Sequence, residues 1–479
     1  MKSKNAMSNL STSLKQMSPL FLSFFMGAGS LAALQKVSSM EVAKTVDQQA
    51  VTQPAIAEEL GDLGKITSPF WETSLNQDEL FKFADFLTID QETTPQLTEA
   101  TPDLILSDFQ NRVDGKFAIP DLIFNQTKFW FRIYTEFDST KKVIHDSLHP
   151  HIIYDVVDIS EILTLPAKAQ WLNVKKAENL VSKRVSEIRQ KLKKMAKKNP
   201  KNFDEEELRW WQELQSIKGP AKRVITTASL SIRVQTGQKN FFENGLTLSG
   251  RYLDGMEKIF ESHKLPIELT RLPFVESSFV IGATSKVGAA GIWQFMPGIG
   301  RKFLNINDSF DERRNPWKAT EAAAKLLKEN HQILKRNWGL ALTAYNHGPG
   351  GVRKAMEVTK SNDIAKIVRS YRSRNFDFAS ANFYTCFLAA LHAQMYKDMI
   401  WPDHVAEPAL EYETVKVKRS AKVKEILKIS GLSDEEFLTF NPELDRALRK
   451  DLRVNSGHKL FLPEESAQNF LEKLASVQL

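Results

Sequence analysis

The chain has 479 residues, a formal net charge of +7 and an isoelectric point near 9.1. Hydrophobic residues make up 42% and charged residues 26%, which excludes a disordered tail or a fibre and leaves room for two or three domains with a sizeable core. The positive balance points to acidic partners (anionic glycans, nucleic acid or a membrane surface), and a single cysteine excludes a disulfide framework.

Lys2, Lys4 and Lys15 precede SPLFLSFFMGAGSLAAL, an apolar stretch ending in small residues. It predicts a secretory signal over 1–33, cleaved near Ala32 or Ala33, and export to the periplasm or cell envelope. Left uncleaved, the same stretch would associate the protein with a membrane, although Gly27, Gly29 and several serines dilute it. Over 34–103 Thr, Gln, Pro and acids dominate, and a mostly flexible linker is expected.

Residues 104–240 read as an accessory N-terminal region, largely helical. Within it FWFRIYTEF and HIIYDVVDI mix aromatic and β-branched residues and fit strands or short helices alike. HDSLHPH offers His145, His149 and His151 as a conceivable zinc set. Pro150 argues against the helix that would place His145 and His149 on one face, so packing or surface roles are expected and no metal. The run KRVSEIRQKLKKMAKK predicts a solvated basic helix face, broken at Asn199 and Pro200 before FDEEELRWWQEL opens a new helix with acids in its first turn. No aromatic residues interleave with these lysines, so no nucleic-acid partner is expected.

Over 241–400 helix follows helix. Pro266 opens IELTRLPFVES, a helix that would carry Glu276 to its end and that Pro273 should bend or shorten. The loop KVGAAGIWQFMPGIG comes next, then PWKATEAAAKLLKENHQILKRNWG, with apolar residues at helical spacing and Gly339 suited to a C-terminal cap. LALTAYNHGPGG is a short apolar helix broken by glycine and proline; its GPGG lacks the Lys-Ser/Thr of a phosphate loop. Cys386, in NFYTCFLAAL, reads as a buried core residue. Residues 409–465 run strand, helix, helix, strand, with Ser433 as a helix cap, and predict a small α+β module. The fold class is mainly α.

Glu276 is the chemical question in this pattern. It lies between Phe274 and Phe279 with almost no other charge nearby. It could merely cap or pair, with Arg271 for instance; but an acid flanked by apolar residues, then by GAAG for close backbone approach and by Trp293, Gln294 and Phe295, fits a glycan cleft. Lost solvation would keep such an acid protonated near neutrality, as cleavage of a glycosidic bond requires of the group that protonates the leaving oxygen. A standard glycosidase needs a second carboxylate, and Glu268, Asp308, Asp311 and Glu312 offer no obvious one.

VESSFVIGATSKVGAAGIWQFMP followed by ALTAYNHGPGG resembles the paired signature of lytic transglycosylases of the soluble-transglycosylase type, in the subgroup resembling membrane-bound lytic murein transglycosylase D. Weaker similarity runs from about Phe129 to Met395, and the C-terminal module resembles a LysM domain, a fold that binds N-acetylglucosamine polymers. The resemblance implies a lysozyme-like catalytic domain over 241–400, peptidoglycan glycan strands as the partner, and no organic cofactor. It implies that Glu276 is the sole catalytic acid, protonating the oxygen between N-acetylmuramic acid and N-acetylglucosamine and then acting as base on the muramic acid's C6 hydroxyl, which closes a 1,6-anhydro ring. It places Ser285 and Tyr345 near the acid, Gln294 and Met296 along the cleft, and Asn346 in the Tyr-Asn motif. His347 falls at a variable position and is expected to be a loop residue. The LysM-like segment lacks the usual Gly-Asp-Thr-Leu turn, having KRSAKVKEIL, and carries extra residues between Pro442 and Gly457. Two rivals share these features: a muramidase of goose-lysozyme kind, which would use water, and a wall-binding scaffold without activity.

Overall fold

The computed structural model describes residues 101–166 and 170–476. The signal and nearly all of the linker lie outside the described residues. Chain contacts divide the rest into two units, 140–237 and 101–139 with 238–476. Residues 101–139 thus fall in one unit with 238–476 and not with 140–237, where the sequence predicts a single accessory region over 104–240. The reason is helix α1, Phe124–Thr135, which buries Phe129, Trp130, Phe131, Ile133 and Tyr134. Gln126 Nε2 and Trp130 Nε1 both donate to Asn382 Oδ1 at 2.8 Å.

The unit 140–237 holds a three-stranded antiparallel sheet in the order β2-β1-β3, built from β1 Lys141–Asp146, β2 Ile153–Asp158 and β3 Ile232–Thr236. FWFRIYTEF is therefore mostly helix α1, whereas HIIYDVVDI supplies β2. Helices α2 Gln170–Met195, α3 Glu205–Leu214 and α4 Ala221–Leu230 belong to the same unit. Val185, Ile188, Leu192 and Met195 recur at helical spacing along α2 and share a core with Ile144, Tyr154, Trp210 and Ile225. The opposite face of α2 exposes Lys175, Lys176, Lys183, Lys193 and Lys194. This unit carries 19 Lys and Arg against 11 Asp and Glu, so the chain's positive balance resides here. His145 is fully buried, and burial together with nearby Arg233 pushes its pKa down to about 3, so it packs as a neutral ring. Asp146 accepts from the Leu148 and His149 amides at 2.8 and 2.9 Å and shapes the turn that follows.

In the larger unit the chain continues through α5 Lys239–Ser249, α6 Leu253–Ser262, α7 Leu272–Glu276, α8 Pro316–Ile333, α9 Trp338–His347, α10 Pro349–Thr359, α11 Ile364–Ser370 and α12 Phe378–Met395. Helix α12 buries 15 of its 18 residues, as a helix apolar on all sides must, and packs against α1, α7 and α9. Cys386 lies in its buried portion. Helix α8 starts at Pro316 under an Asn315 cap that accepts from the amides of Trp317 and Lys318. It ends at Ile333, not at Gly339. Lys335 and Arg336 turn the chain with φ of 58° and 55°, and Gly339 sits inside α9, where a Cβ would lie 2.6 Å from Ile364 Cγ2. Close packing, not a cap, requires this glycine.

The C-terminal segment pairs β4 Glu413–Lys416 with β7 Lys459–Leu462, and β5 Ala421–Lys422 with β6 Arg453–Val454, both antiparallel. Between them run α13 Val423–Ser430, α14 Asp434–Phe440 and α15 Asp445–Arg449, and α16 Glu464–Ser476 follows. Ser433 and Glu436 form a capping box at the start of α14.

Candidate active site

Pro266 precedes a 3₁₀ turn over Ile267–Arg271, and α7 follows with Pro273 in its first positions, where a missing N–H is no loss. Pro273 thus starts a separate short helix, and Glu276 is its last residue. Ser278 and Phe279 then take φ of 48° and 62°, which turns the chain sharply after the acid. Phe274 stacks on Phe242 with centroids 4.8 Å apart and meets Phe279 edge-on at 4.7 Å, so the chain on both sides of Glu276 is anchored in an aromatic cluster.

Glu276 is fully buried, and neither oxygen has a hydrogen-bond partner among the described residues. Arg271 instead pairs with Glu257 and donates to Gln394 Oε1 at 3.0 Å. Burial alone acts on the Glu276 carboxyl and pushes its pKa well above the ordinary carboxylate range. Two tyrosines lie close enough to feel its charge whenever it ionises. Burial first, then Glu276, pushes up the hydroxyl of Tyr345; burial, Cys386 and Glu276 act on Tyr134. Tyr134 escaped the sequence reading because only the packing of α1 on α12 brings it here.

The loop after α7 folds on itself. Ser277 Oγ donates to Ile292 O at 2.8 Å, and the Ala289 amide donates to Ser285 Oγ at 2.9 Å. Gln294, fully buried at φ 47°, donates through Nε2 to Gly291 O at 2.8 Å and Ala283 O at 3.2 Å, while its Oε1 has no partner among the described residues. Gly291 has φ 78°, and a Cβ there would lie 1.8 Å from Arg313 O. Tyr345 donates to Trp293 O at 2.7 Å, which ties α9 to the loop. Met296, half-buried, closes the loop ahead of Pro297. Asn346 Oδ1 accepts from Ser380 Oγ at 3.2 Å. His347 is the last residue of α9 rather than a loop residue, 3.0 Å from Ser380 Oγ through Nδ1, and a Cβ on Gly351 would lie 2.3 Å from its Nε2. It is a packed side chain.

Arg313 and Arg314 were not singled out by the sequence and clamp the loop from outside. Arg313 Nη1 donates to Gly288 O and Phe295 O at 2.7 and 2.8 Å, and Arg314 donates to Gly282 O at 3.0 Å and Thr284 Oγ1 at 2.8 Å. Three of the four acids weighed as a second carboxylate are occupied. Glu268 accepts from the Asp114 amide at 3.3 Å, Asp311 pairs with Arg313 at 2.6 Å, and Glu312 pairs with Lys318 at 3.1 Å. Asp308 is fully exposed, 3.8 Å from Arg446.

Fold and site define a helical domain organised around a buried carboxyl group that is unpaired among the described residues. Residues 259–368 match the transglycosylase SLT domain family, and the chain carries such a domain. Over 102 residues it is 38% identical to membrane-bound lytic murein transglycosylase D of Escherichia coli (strain K12), a stretch covering 21% of this chain and 23% of that protein. It is 34% identical over 102 residues to the putative tributyltin chloride resistance protein of Alteromonas sp. (strain M-1), covering 21% of this chain and 49% of that one. The chain thus spans under a quarter of the transglycosylase's length and about half of the other relative. An inactive mutant of the lytic transglycosylase Slt from Pseudomonas aeruginosa aligns at 18% identity over 74% of this chain and 45% of that one, with a TM-score of 0.28.

Proposed function

We propose that this chain is a peptidoglycan lytic transglycosylase, and the observation that carries the reading is Glu276: a buried carboxyl, kept neutral by burial, with no partner among the described residues. Glu276 gives its proton to the oxygen between N-acetylmuramic acid and N-acetylglucosamine, and the C1–O bond breaks. The C6 hydroxyl of the same muramic acid then attacks C1, and its proton passes to the Glu276 carboxylate. The product carries a 1,6-anhydro ring, no water is consumed, and the acid returns to its starting state. The nucleophile is part of the substrate, which supplies proximity and removes the need for a second carboxylate. The engagement of Glu268, Asp311 and Glu312 by other groups supports this over hydrolysis.

In this reading Tyr345 and Ser285 stand near the reacting centre, while Gln294, whose Oε1 is unpartnered among the described residues, Met296 and Asn346 serve the glycan cleft. The C-terminal module is read as LysM-like in fold, on its two short antiparallel strand pairs and the helices between them. The setting is the cell envelope after export; no helix among the described residues is long and apolar enough to cross a membrane.

Purified sacculi incubated with the protein and with Glu276→Gln give the test, read by mass spectrometry of the released muropeptides. Muramic acid ends one water lighter than hydrolysis products, absent with the variant, are expected. Reducing ends would instead identify a muramidase, and release by neither protein a scaffold.

A further inference from the structure

The segment from Phe310 to Lys318 is gripped on two sides. On one side lies the loop that carries Ser285 and Gln294, held by Arg313 and Arg314 through backbone carbonyls at Gly282, Gly288 and Phe295. On the other side lies the C-terminal module. Phe310 is part of the module's own core, with Val415, Leu444 and Leu460. Trp317 faces Tyr412 and Phe461 with centroids 4.4 and 4.9 Å away. At the centre is Glu443, whose side chain is fully buried. Lys318 Nζ donates to its Oε1 at 2.7 Å, Asn315 Nδ2 donates to its Oε2 at 2.8 Å, and its backbone carbonyl accepts from the Asp311 amide at 3.4 Å.

A module that only tethers an enzyme to a wall has no need of a buried carboxylate each of whose oxygens accepts from a side chain of the catalytic region. Burying a charge costs several kcal/mol unless geometry and hydrogen bonds satisfy it fully, and such a pair then fixes one register between the parts it joins. Here the parts joined are the module and the segment that bears the two arginines. We propose that Glu443 is a positioning residue for the reaction: through Asn315, Lys318 and Arg313 the C-terminal module sets the conformation of the Gly282–Phe295 loop. The inference rests on the transglycosylase reading for its link to catalysis, but not for its structural content. It makes the module part of the active-site scaffold, whatever glycan it also binds.

The experiment compares the full chain with Glu443→Gln in two measurements. In amide hydrogen exchange without substrate, the variant is expected to lose protection at Ala289, Ala290 and Gly291 while helix α12 keeps its own. On soluble glycan strands, where wall tethering plays no part, kcat is expected to fall about tenfold or more with KM within about twofold, since small displacements of positioning groups act on the chemical step. Combining Glu443→Gln with Arg313→Lys should slow the enzyme no further than the slower single variant. Unchanged loop exchange, an unchanged kcat, or multiplicative losses in the double variant would overturn the proposal. Loss of protection in α12 as well would also overturn it, by making Glu443 a support of the whole fold. If the wild type cleaves nothing, the transglycosylase reading fails and the exchange measurement alone decides the role of Glu443.

Discussion

At the scale of single residues, Glu276 sets stability against function. Its carboxyl is buried and unpaired among the described residues, so its folded pKa lies above its unfolded one. For such a group the folded state binds the proton more tightly, so no penalty exists below the ordinary carboxylate range. The penalty grows as pH rises from there towards the raised value, by up to about 1.4 kcal/mol per pH unit. Melting curves of the wild type and Glu276→Gln across this window should diverge, the wild type losing stability relative to the variant as pH rises; parallel curves would mean an ordinary pKa. The same substitution should cost about 10²–10⁴-fold in glycan cleavage, the usual weight of a positioned acid. Tyr345→Phe removes the hydrogen bond to Trp293 O and leaves that buried carbonyl short of a donor. We expect a loss of about 1 kcal/mol in denaturant unfolding, with slower cleavage.

At the scale of elements, the loop from Gly282 to Phe295 owes its shape to backbone geometry that side chains cannot replace. Gly291→Ala would press a methyl group into the Arg313 carbonyl at a positive φ, and we expect a cost on the order of 1–3 kcal/mol with a larger loss of activity, read by calorimetry beside a cleavage assay. Much here was legible in sequence because the signals are local. Pro266 opens the stretch that ends at Glu276 and Pro273 interrupts it, Ser433 caps α14, and the apolar run around Cys386 is a buried helix. What escaped depends on partners distant in the chain. Gly339 reads as a helix stop until Ile364 is seen against it. KKVIHD and IRVQT mix charge with β-branched residues too briefly to declare strands, and they pair only because the chain brings residues 141–146 and 232–236 together. Tyr134, Arg313 and Arg314 belong to no motif; their roles come from packing and from carbonyls they reach across folded chain.

At the scale of the whole molecule, the buried Glu443 links acid stability to docking of the C-terminal module. Burial pushes its pKa up, but the charge of Lys318, hydrogen bonds from Lys318 and Asn315 and the nearby His458 ring outweigh it and hold it at about 2. Its contribution is therefore present above the ordinary carboxylate range and is lost as pH falls from there towards 2. Acid titration followed by the fluorescence of Trp317, against a Trp317→Phe control, should show the module loosening in that window, and an unchanged signal down to pH 2 would refute it. The unit 140–237 has a different standing. The chain leaves the larger unit at Ser139 and returns at Gln238, and the two stems are tied there: the Ser139 amide donates to Asn240 Oδ1 at 3.0 Å, and the Lys239 amide to Phe137 O at 2.9 Å. Such a neck is a natural graft point. The 98 residues between can be cut out and the ends joined by a short Gly-Ser turn, and the shortened chain should still fold. It would also change sign, from a net charge of +7 to −1, so isoelectric focusing would find a basic protein turned mildly acidic by removing one appendage.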